Sequence, residues 1–351
     1  MTDNHQIKTI GIIGGGQLAR MLALAGIPLG YKFIFLDTYA ECPASDLGKL
    51  IVGEYDDLEK LHELANQADV LTFDFENIPA HAINSIAKVV PFYPSPQALA
   101  TAQDRLSEKT LFTELGLKTP EFHNIESASD LTSARDFSFP AILKTRRLGY
   151  DGKGQVRIKQ FSELNEAWNS LNRVDSLLEG FVNFDFEVSQ VATRAINGDI
   201  VFYPLTKNRH ADGILVESTA PYINKSLTEK AQAYTAKVLE HFEYIGTLAI
   251  EYFVSGDELI VNEMAPRVHN SGHWTIEGSE TSQFENHIRA ISGLPLGPTD
   301  AVGEIRMENC IGQMPAREDT LGNQFAHYHD YGKSARPGRK VGHITYVKHL
   351  K

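Results

Sequence analysis

A chain of 351 residues, 42% of them hydrophobic, is long enough for two or three cored domains, and its composition is that of an ordinary globular protein. The net charge of −12 excludes a general nucleic-acid binder, because phosphate backbones need a broad basic surface, so any bound phosphate must be met locally. The two cysteines, Cys42 and Cys310, lie far apart outside any ligand-spaced motif, and no apolar run approaches the ~18 to 20 residues that span a bilayer, so neither a disulfide framework, a zinc finger nor a membrane partner is expected.

MTDNHQIKTIGIIGGG has no basic flank followed by a long apolar core, and a cytoplasmic, unprocessed protein is the expectation. The first hundred residues alternate apolar strands with amphipathic helices, the pattern of an open parallel α/β sheet. Strands are predicted at 9–13, 32–36, 50–53, 70–75 and 89–93; a helix over 57–68 puts Leu58, Leu61, Leu64 and Ala65 on one face. Between the first strand and its helix, Gly14, Gly16 and Ala19 fit a dinucleotide fingerprint, and Asp37 closes the second strand where a ribose-binding acid would stand. An NAD-binding oxidoreductase is one reading of this end; a helix N-terminus behind a glycine turn equally holds any phosphate, or none.

Ser95 and Pro96 suit N-cap and N1, and start one long helical pattern running to about Leu115 that links two domains. Arg105 and Lys109, four apart on this helix, read as a solvated basic edge. After a short helix (129–136) and a strand (139–146) comes the loop RRLGYDGKGQ, leading into a strand at 156–159. Gly149, Gly152 and Gly154 leave backbone amides free to wrap phosphate, with the charge of Lys144 beside them, although a glycine-rich hairpin needs no ligand. The order of a Walker A loop is absent. Beyond a helix over 162–171, Leu177 and Leu178 end a strand, and residues 179–182 look like a hinge whose backbone edge suits an adenine, with Glu187 a few residues on for ribose hydroxyls, although an acid at a strand end is usually just solvated. Asn197 and Gly198 mark a hairpin turn, and Ser226 with Glu229 reads as a capping box for a helix carrying Ala233, Val238 and Leu239 to the core.

Two β-rich runs, 248–254 and 259–264, flank Gly256 and Asp257, each with one acid, Glu251 and Glu263. A two-residue loop pairs residues whose numbers sum to 513 and puts the acids on opposite faces. An odd loop centred on Asp257 makes the sum 514 and sets the acids face to face, where two ionised carboxylates repel unless a cation lies between them. Oxygen-only ligands on a sheet suit Mg²⁺; a solvated face is the alternative. Farther on, Arg267, Asn270, Ser271 and His273 crowd one loop, and a zinc pair of His269 and His273 needs a helix that Pro266 and Gly272 disfavour. Lys333, Arg336, Arg339 and Lys340 fall within eight residues, as a solvated turn or a phosphate clamp.

Taken in order, GGGQLAR, FDFEN, LKTRRLGYDGKGQ, LEGFV, FEVS, NRH, NEMAPRVHNSGHWT and RPGRKVGH resemble the 5-(carboxyamino)imidazole ribonucleotide synthetase (N5-CAIR synthetase) family of the ATP-grasp superfamily, over nearly the whole chain. GYDGKGQ points to the superfamily, APRVHNSGHWT with RPGRKVGH to this branch. The resemblance implies an α/β chain with the ATP-grasp fold: a doubly wound parallel-sheet preATP-grasp domain over 1–104, an ATP-grasp domain over 105–295 with a lid at about 122–183, and a small C-terminal subdomain over 296–351. It implies ATP as co-substrate, Mg²⁺, and a homodimeric ligase of de novo purine biosynthesis that carboxylates the amine of 5-aminoimidazole ribonucleotide with bicarbonate through carboxyphosphate. A formate-dependent glycinamide ribonucleotide transformylase is the alternative within the superfamily.

By matching motif, the resemblance assigns Arg105 and Lys144 to ATP phosphates, with Gly149, Tyr150, Asp151, Gly152, Lys153, Gly154 and Gln155 closing over them. Glu179, Gly180, Phe181 and Val182 hold adenine, Glu187 the ribose, and His210 lines the pocket. Glu251 and Glu263 hold Mg²⁺ beside Asn262, which a regular strand would point away, so it contributes its backbone or the strand bulges. Arg267, with Asn270 and His273, cradles carboxyphosphate. Glu76, Tyr150, Asp151 and Lys153 meet the base and sugar of the ribonucleotide, Lys333 and Lys340 its phosphate, with Gly15, Gln17 and Arg339 in the same substrate site; Asp151 accepts the amine's proton.

Overall fold

Apolar strands near the N-terminus, buried on both faces, form a parallel sheet in the order β3-β2-β1-β4 from β1 (Thr9–Ile13), β2 (Lys32–Asp37), β3 (Lys49–Val52) and β4 (Val70–Phe73). The computed structural model describes residues 7–149 and 153–349; Tyr150, Asp151 and Gly152, given roles above, lie outside the described residues. One sheet face packs Ile10, Ile12 and Phe35 against Leu18 and Leu22 of α1 (Gln17–Gly26); the other packs Ile13, Leu36 and Phe73 against α2 (Leu58–Ala65) and α3 (Ala80–Ile86). Leu58 is exposed, because Asp57 caps α2 and leaves the first helical residue outside the buried stripe. The fifth strand expected at 89–93 shrinks to one bridge between Leu71 and Phe92, bracketed by Pro91 and Pro94, which have no N–H to donate.

The single helix expected after Ser95 is two, α4 (Pro96–Ala102) and α5 (Arg105–Glu114). Asp104 takes an extended backbone and caps α5 by accepting the N–H groups of Leu106 and Ser107, which ends the first helix and aims the second at the hairpin. A small antiparallel sheet follows, in the order β5-β8-β6-β7, from β5 (Phe122–Ile125), β6 (Ala141–Thr145), β7 (Gln155–Ile158) and β8 (Ser176–Gly180). It closes its own core of Ile125, Leu143, Trp168 and Leu178 under α6 (Ala128–Ser133) and α7 (Leu164–Ser170).

The rest is one large antiparallel sheet, β14-β13-β9-β11-β12-β15-β17-β16, with β10 beside β9. Its strands are β9 (Phe186–Arg194), β10 (Ile200–Phe202), β11 (Thr206–Ala211), β12 (Ile214–Ala220), β13 (Gly246–Ser255), β14 (Glu258–Ala265), β15 (Gly303–Ile311), β16 (Ala326–Asp330) and β17 (Lys340–His349). The C-terminal strands thus extend the sheet that carries the hairpin. Along one face lies α8 (Lys225–His241), capped by Asn224 rather than by the box expected at Ser226. After the short α9 (Thr275–Gly278), α10 (Gln283–Ile291) packs Phe284, Ile288 and Ile291 into the cluster built by α1, joining the parallel sheet to the large one; α11 (Arg317–Leu321) precedes β16. Among the described residues no helix is long and apolar enough to cross a membrane.

Candidate active site

The hairpin of β13 and β14 turns through Gly256 and Asp257 alone, pairing Ser255 with Glu258 and Tyr252 with Val261. Of the two loops the sequence allows, the chain uses the two-residue one, and this turn by itself would put the two acids on opposite faces. Glu251 nevertheless lies directly opposite Glu263, because the register shifts by one between these pairs and Asn262 is the extra, bulged residue. The bulge also keeps Leu259, Val261 and Met264 in one hydrophobic cluster despite their uneven spacing.

Burial, and then the charge of Glu263, push the Glu251 carboxyl up to about 7. Burial acts upward on Glu263 too, yet the Arg105 guanidinium, whose Nη1 donates to Oε2 at 3.0 Å, holds it at about 2. With Glu263 held low by Arg105 and Glu251 pushed up beside it, the pair is an oxygen set whose mutual repulsion a hard divalent cation would relieve. Among the described residues no group of three or more His, Cys, Asp or Glu is arranged to hold a metal. An oxygen-only carboxylate pair is a donor set that suits Mg²⁺, which takes its other ligands from water and phosphate oxygens. A zinc pair is not formed: His269 Nδ1 meets Ser271 Oγ at 2.9 Å, whereas His273 Nδ1 meets the Tyr331 hydroxyl at 2.9 Å.

Both carboxylates open onto a cleft of about 800 Å³ where the three sheets meet. Its walls bring together Gln17, Glu76, Arg105, Gly149, Lys153, Arg267, Asn270, His273, Lys333, Arg339 and Lys340. Arg267 grips Glu76 with Nε and Nη2, the latter 3.0 Å from Oε1; burial opposes the Glu76 charge, but the guanidinium holds its pKa below the usual range. Asn270 and Asn309 exchange amide hydrogen bonds of 2.9 and 2.6 Å, and Tyr331 OH bridges His273 to His343 Nδ1 at 2.8 Å, tying the Arg267 loop to β15 and β17.

The nucleotide-side residues lie beyond that wall. Lys144 Nζ donates to Glu179 Oε2 at 2.7 Å, and although burial pushes Glu179 up, Lys144 and Lys109 hold it at about 2. His210 Nδ1 meets Glu187 Oε2 at 2.6 Å; burial lowers the His210 pKa, and this bond together with the charges of Glu251 and Glu187 leaves it raised. Phe181 stacks under Arg157, 4.3 Å from its ring centre. Gly154 has φ +72 with Thr145 Oγ1 2.7 Å from where a Cβ would be, a position only glycine fills without strain. Gln155, Gly180 and Val182 continue these strand ends.

The N-terminal glycine turn is filled by the protein's own acids. Gly15 donates its N–H to Asp37 Oδ2 at 2.6 Å, so that amide is committed and does not face a ligand. Asp37 also accepts from Tyr39 N–H and Tyr55 OH, and a Cβ on Gly14 would sit 1.7 Å from Asp74 Oδ1. The glycines make room for Asp74, and with Gly14 N–H given to Leu36 O, Gly15 N–H to Asp37 and Ala19 N–H to Asp74, the amides a dinucleotide pyrophosphate would use are already taken, which removes the oxidoreductase reading.

Lys109, read from the sequence as a solvated edge, is fully buried. Glu108 and Tyr331, which line the cleft, and Lys109, Asn309 and His343, which hydrogen-bond around it, are residues that sequence reasoning passed over. The one available signal was that Arg105, Glu108 and Lys109 share a single helical face.

Family models match the chain in three stretches: the ribonucleotide synthetase preATP-grasp domain over residues 7–103, the ATP-grasp domain over 110–284, and the phosphoribosylaminoimidazole carboxylase C-terminal domain over 306–351. The N5-carboxyaminoimidazole ribonucleotide synthase of Pseudomonas aeruginosa is 49% identical over 337 residues, covering 96% of this chain and 93% of that one. The crystal structure of the synthetase from Thermus thermophilus superposes with a TM-score of 0.93 at 50% identity, covering 97% of this chain and 93% of that one. That of the Aspergillus clavatus synthase in complex with ADP and 5-aminoimidazole ribonucleotide gives 0.90 at 28% identity, covering 97% and 94%.

Proposed function

The chain belongs to the N5-carboxyaminoimidazole ribonucleotide synthase family of ATP-grasp ligases, and from that membership we propose how its residues divide the work. The protein is an ATP-dependent carbon–nitrogen ligase that carboxylates the amine of 5-aminoimidazole ribonucleotide with bicarbonate in purine biosynthesis. The observation that carries the residue assignment is the register of the hairpin, which faces Glu251 to Glu263 across a cleft shared with Arg267 and the C-terminal cations.

A bicarbonate oxygen attacks the γ-phosphorus of ATP, the bond to the β-phosphate oxygen breaks, and ADP and carboxyphosphate result. Arg105 and Lys144 take up the charge that moves onto the β-phosphate, each exchanging its present carboxylate, Glu263 or Glu179, for phosphate oxygen. Glu251 and Glu263 would hold Mg²⁺, which would supply positive charge against the phosphate oxygens. Glu179, Gly180, Phe181 and Val182 receive adenine at the end of β8, with Glu187 and His210 on the ribose side. Gly149, Lys153, Gly154 and Gln155, with Tyr150, Asp151 and Gly152, close over the phosphates and keep water from carboxyphosphate.

Arg267, assisted by Asn270 and His273, holds carboxyphosphate while the amine nitrogen attacks its carboxyl carbon. The carbon–oxygen bond to phosphate breaks and the amine's proton passes to Asp151. Glu76 and Lys153 orient the base and sugar; Gln17, Lys333, Arg339 and Lys340 receive the ribonucleotide's phosphate. A cytoplasmic homodimer, divided near residues 104 and 295, completes the proposal, and light scattering tests the dimer.

The deciding experiment is a phosphate-release assay with each substrate omitted in turn. Phosphate should appear only with ATP, bicarbonate and 5-aminoimidazole ribonucleotide all present. ATP turnover indifferent to the ribonucleotide, or demanding formate and glycinamide ribonucleotide instead, removes the reading.

A further inference from the structure

At the bulge, edge strand β14 turns Val261 O, Asn262 O and the Met264 N–H towards α5, which answers each of them, while the Val261 N–H goes to Lys118 O. Lys109 Nζ donates to Asn262 O at 2.5 Å and Val261 O at 3.3 Å, and Glu108 Oε1 accepts the Met264 N–H at 2.7 Å. One turn earlier on the same helical face, Arg105 reaches Glu263. Both members of the Glu108 and Lys109 pair are buried, at 2% and 0% exposure. A buried ammonium is costly to desolvate, and the outward N–H and C=O groups of a covered edge strand must find partners. Here Lys109 and Glu108 supply those partners at the bulge, and the bulge is what sets Glu263 opposite Glu251.

We propose that Lys109 is a positioning residue: it locks the bulge at Asn262, and thereby the Glu263 carboxylate, in the place that receives the nucleotide phosphates and their cation. This rests on the reading of Glu251 and Glu263 as cation ligands. Lys109 has a second contact in keeping with the role. Its ammonium lies 3.7 Å from Glu179 Oε1, an oxygen with no hydrogen-bond partner, while Lys144 holds Oε2 of the same carboxylate. When Lys144 turns to phosphate, Lys109 stays as the counter-charge of Glu179.

The test is calorimetric binding of ADP to the full chain, in Mg²⁺ and in EDTA. In Lys109→Met, which keeps the stem and removes the ammonium, the Mg²⁺-dependent gain in ADP affinity falls about tenfold while KM for 5-aminoimidazole ribonucleotide stays within about twofold. Lys109→Arg, which keeps a cation able to reach both carbonyls, recovers most of the gain. A lowered thermal midpoint with the gain unchanged would mean that Lys109 only supports the fold, and overturns the proposal. Should Lys109→Met not fold, Glu108→Leu, which strips the Met264 N–H of its acceptor, must show the same loss, and an unchanged gain in that variant overturns the proposal as well. Glu263→Gln separates the two ideas. If it keeps the Mg²⁺-dependent gain, the ligand assignment fails and takes this one with it; if it loses the gain while Lys109→Met keeps it, only the role of Lys109 falls.

Discussion

Asp104 ties the helix that reaches the carboxylate pair to the small sheet above it, and replacing it separates two contributions. Its Oδ1 accepts the N–H of Leu106 at 3.0 Å and of Ser107 at 3.4 Å, as well as Arg146 Nε at 3.0 Å; its Oδ2 accepts Arg146 Nη2 at 2.7 Å. Asparagine caps a helix as well as aspartate does, so Asp104→Asn removes only the charge, whereas Asp104→Ala removes the cap too, worth about 1 kcal/mol. Arg146 keeps Glu126 at 2.5 Å and is 15% exposed, which puts the loss of the charged bonds near the lower end of about 1–3 kcal/mol. Alanine should therefore cost about 2–3 kcal/mol and asparagine about 1–2 kcal/mol. Because a chain with several cores need not unfold in one step, the assay is amide hydrogen exchange of α5, which reads local opening. Burial pushes the Asp104 carboxyl up, but the Arg146 bonds hold it below the usual 3.8. A depressed folded pKa gives stability that is present above the unfolded value of about 3.9 and lost as pH falls through the folded one, so the gap between wild type and Asp104→Asn is constant from about pH 6 to 8 and closes only below about pH 4. Equal protection in the two variants would refute the cap, and both within about 0.5 kcal/mol of wild type would refute the tie altogether.

Glu263→Gln should lose turnover by at least about 10²-fold with its far-UV circular dichroism retained, since the swap keeps volume at a half-exposed position; undiminished activity would sink the metal assignment. Burial raises Asp74 to about 7, against the pull of the Ala19 and Gly16 amides. The folded state then keeps a proton that the unfolded chain gives up, so wild-type stability falls as pH rises from about 4 to about 7, and Asp74→Asn should flatten that slope in urea titrations at pH 5 and pH 8; an unchanged slope would refute it. Tyr331→Phe cuts both links between His273 and His343 at constant volume, and about 1 kcal/mol predicts a roughly fivefold rise in KM for 5-aminoimidazole ribonucleotide with KM for ATP unmoved. An equal rise in both constants would mean that the network serves the fold in general.

What could be seen in the residues, and what could not, divides by the range over which the deciding contact acts. The strands of the parallel sheet were legible because an apolar run covered on both faces needs no register to be recognised. The break at Asp104 was not, since neither proline nor glycine marks it and the decisive partners of that carboxylate, on Arg146, lie some forty residues away. The paired acids were recognised, and a bulge at Asn262 was one of the two accounts of that residue the sequence left open. Turn geometry alone pairs the acids only through an odd loop, whereas the chain uses a two-residue turn and recovers the offset at Asn262. That bulge is held from α5 across 153 residues of sequence, by a lysine whose periodicity revealed its face but not that the face was dry. The resemblance had the same reach and the same limit. It assigns Arg105, Lys144, Glu179 and Glu263 to nucleotide and metal, but does not show that they stand paired with one another, Arg105 on Glu263 and Lys144 on Glu179. On the proposed roles those pairings matter, because each cation would meet a phosphate only by leaving a carboxylate, and the carboxylate left behind would need another partner.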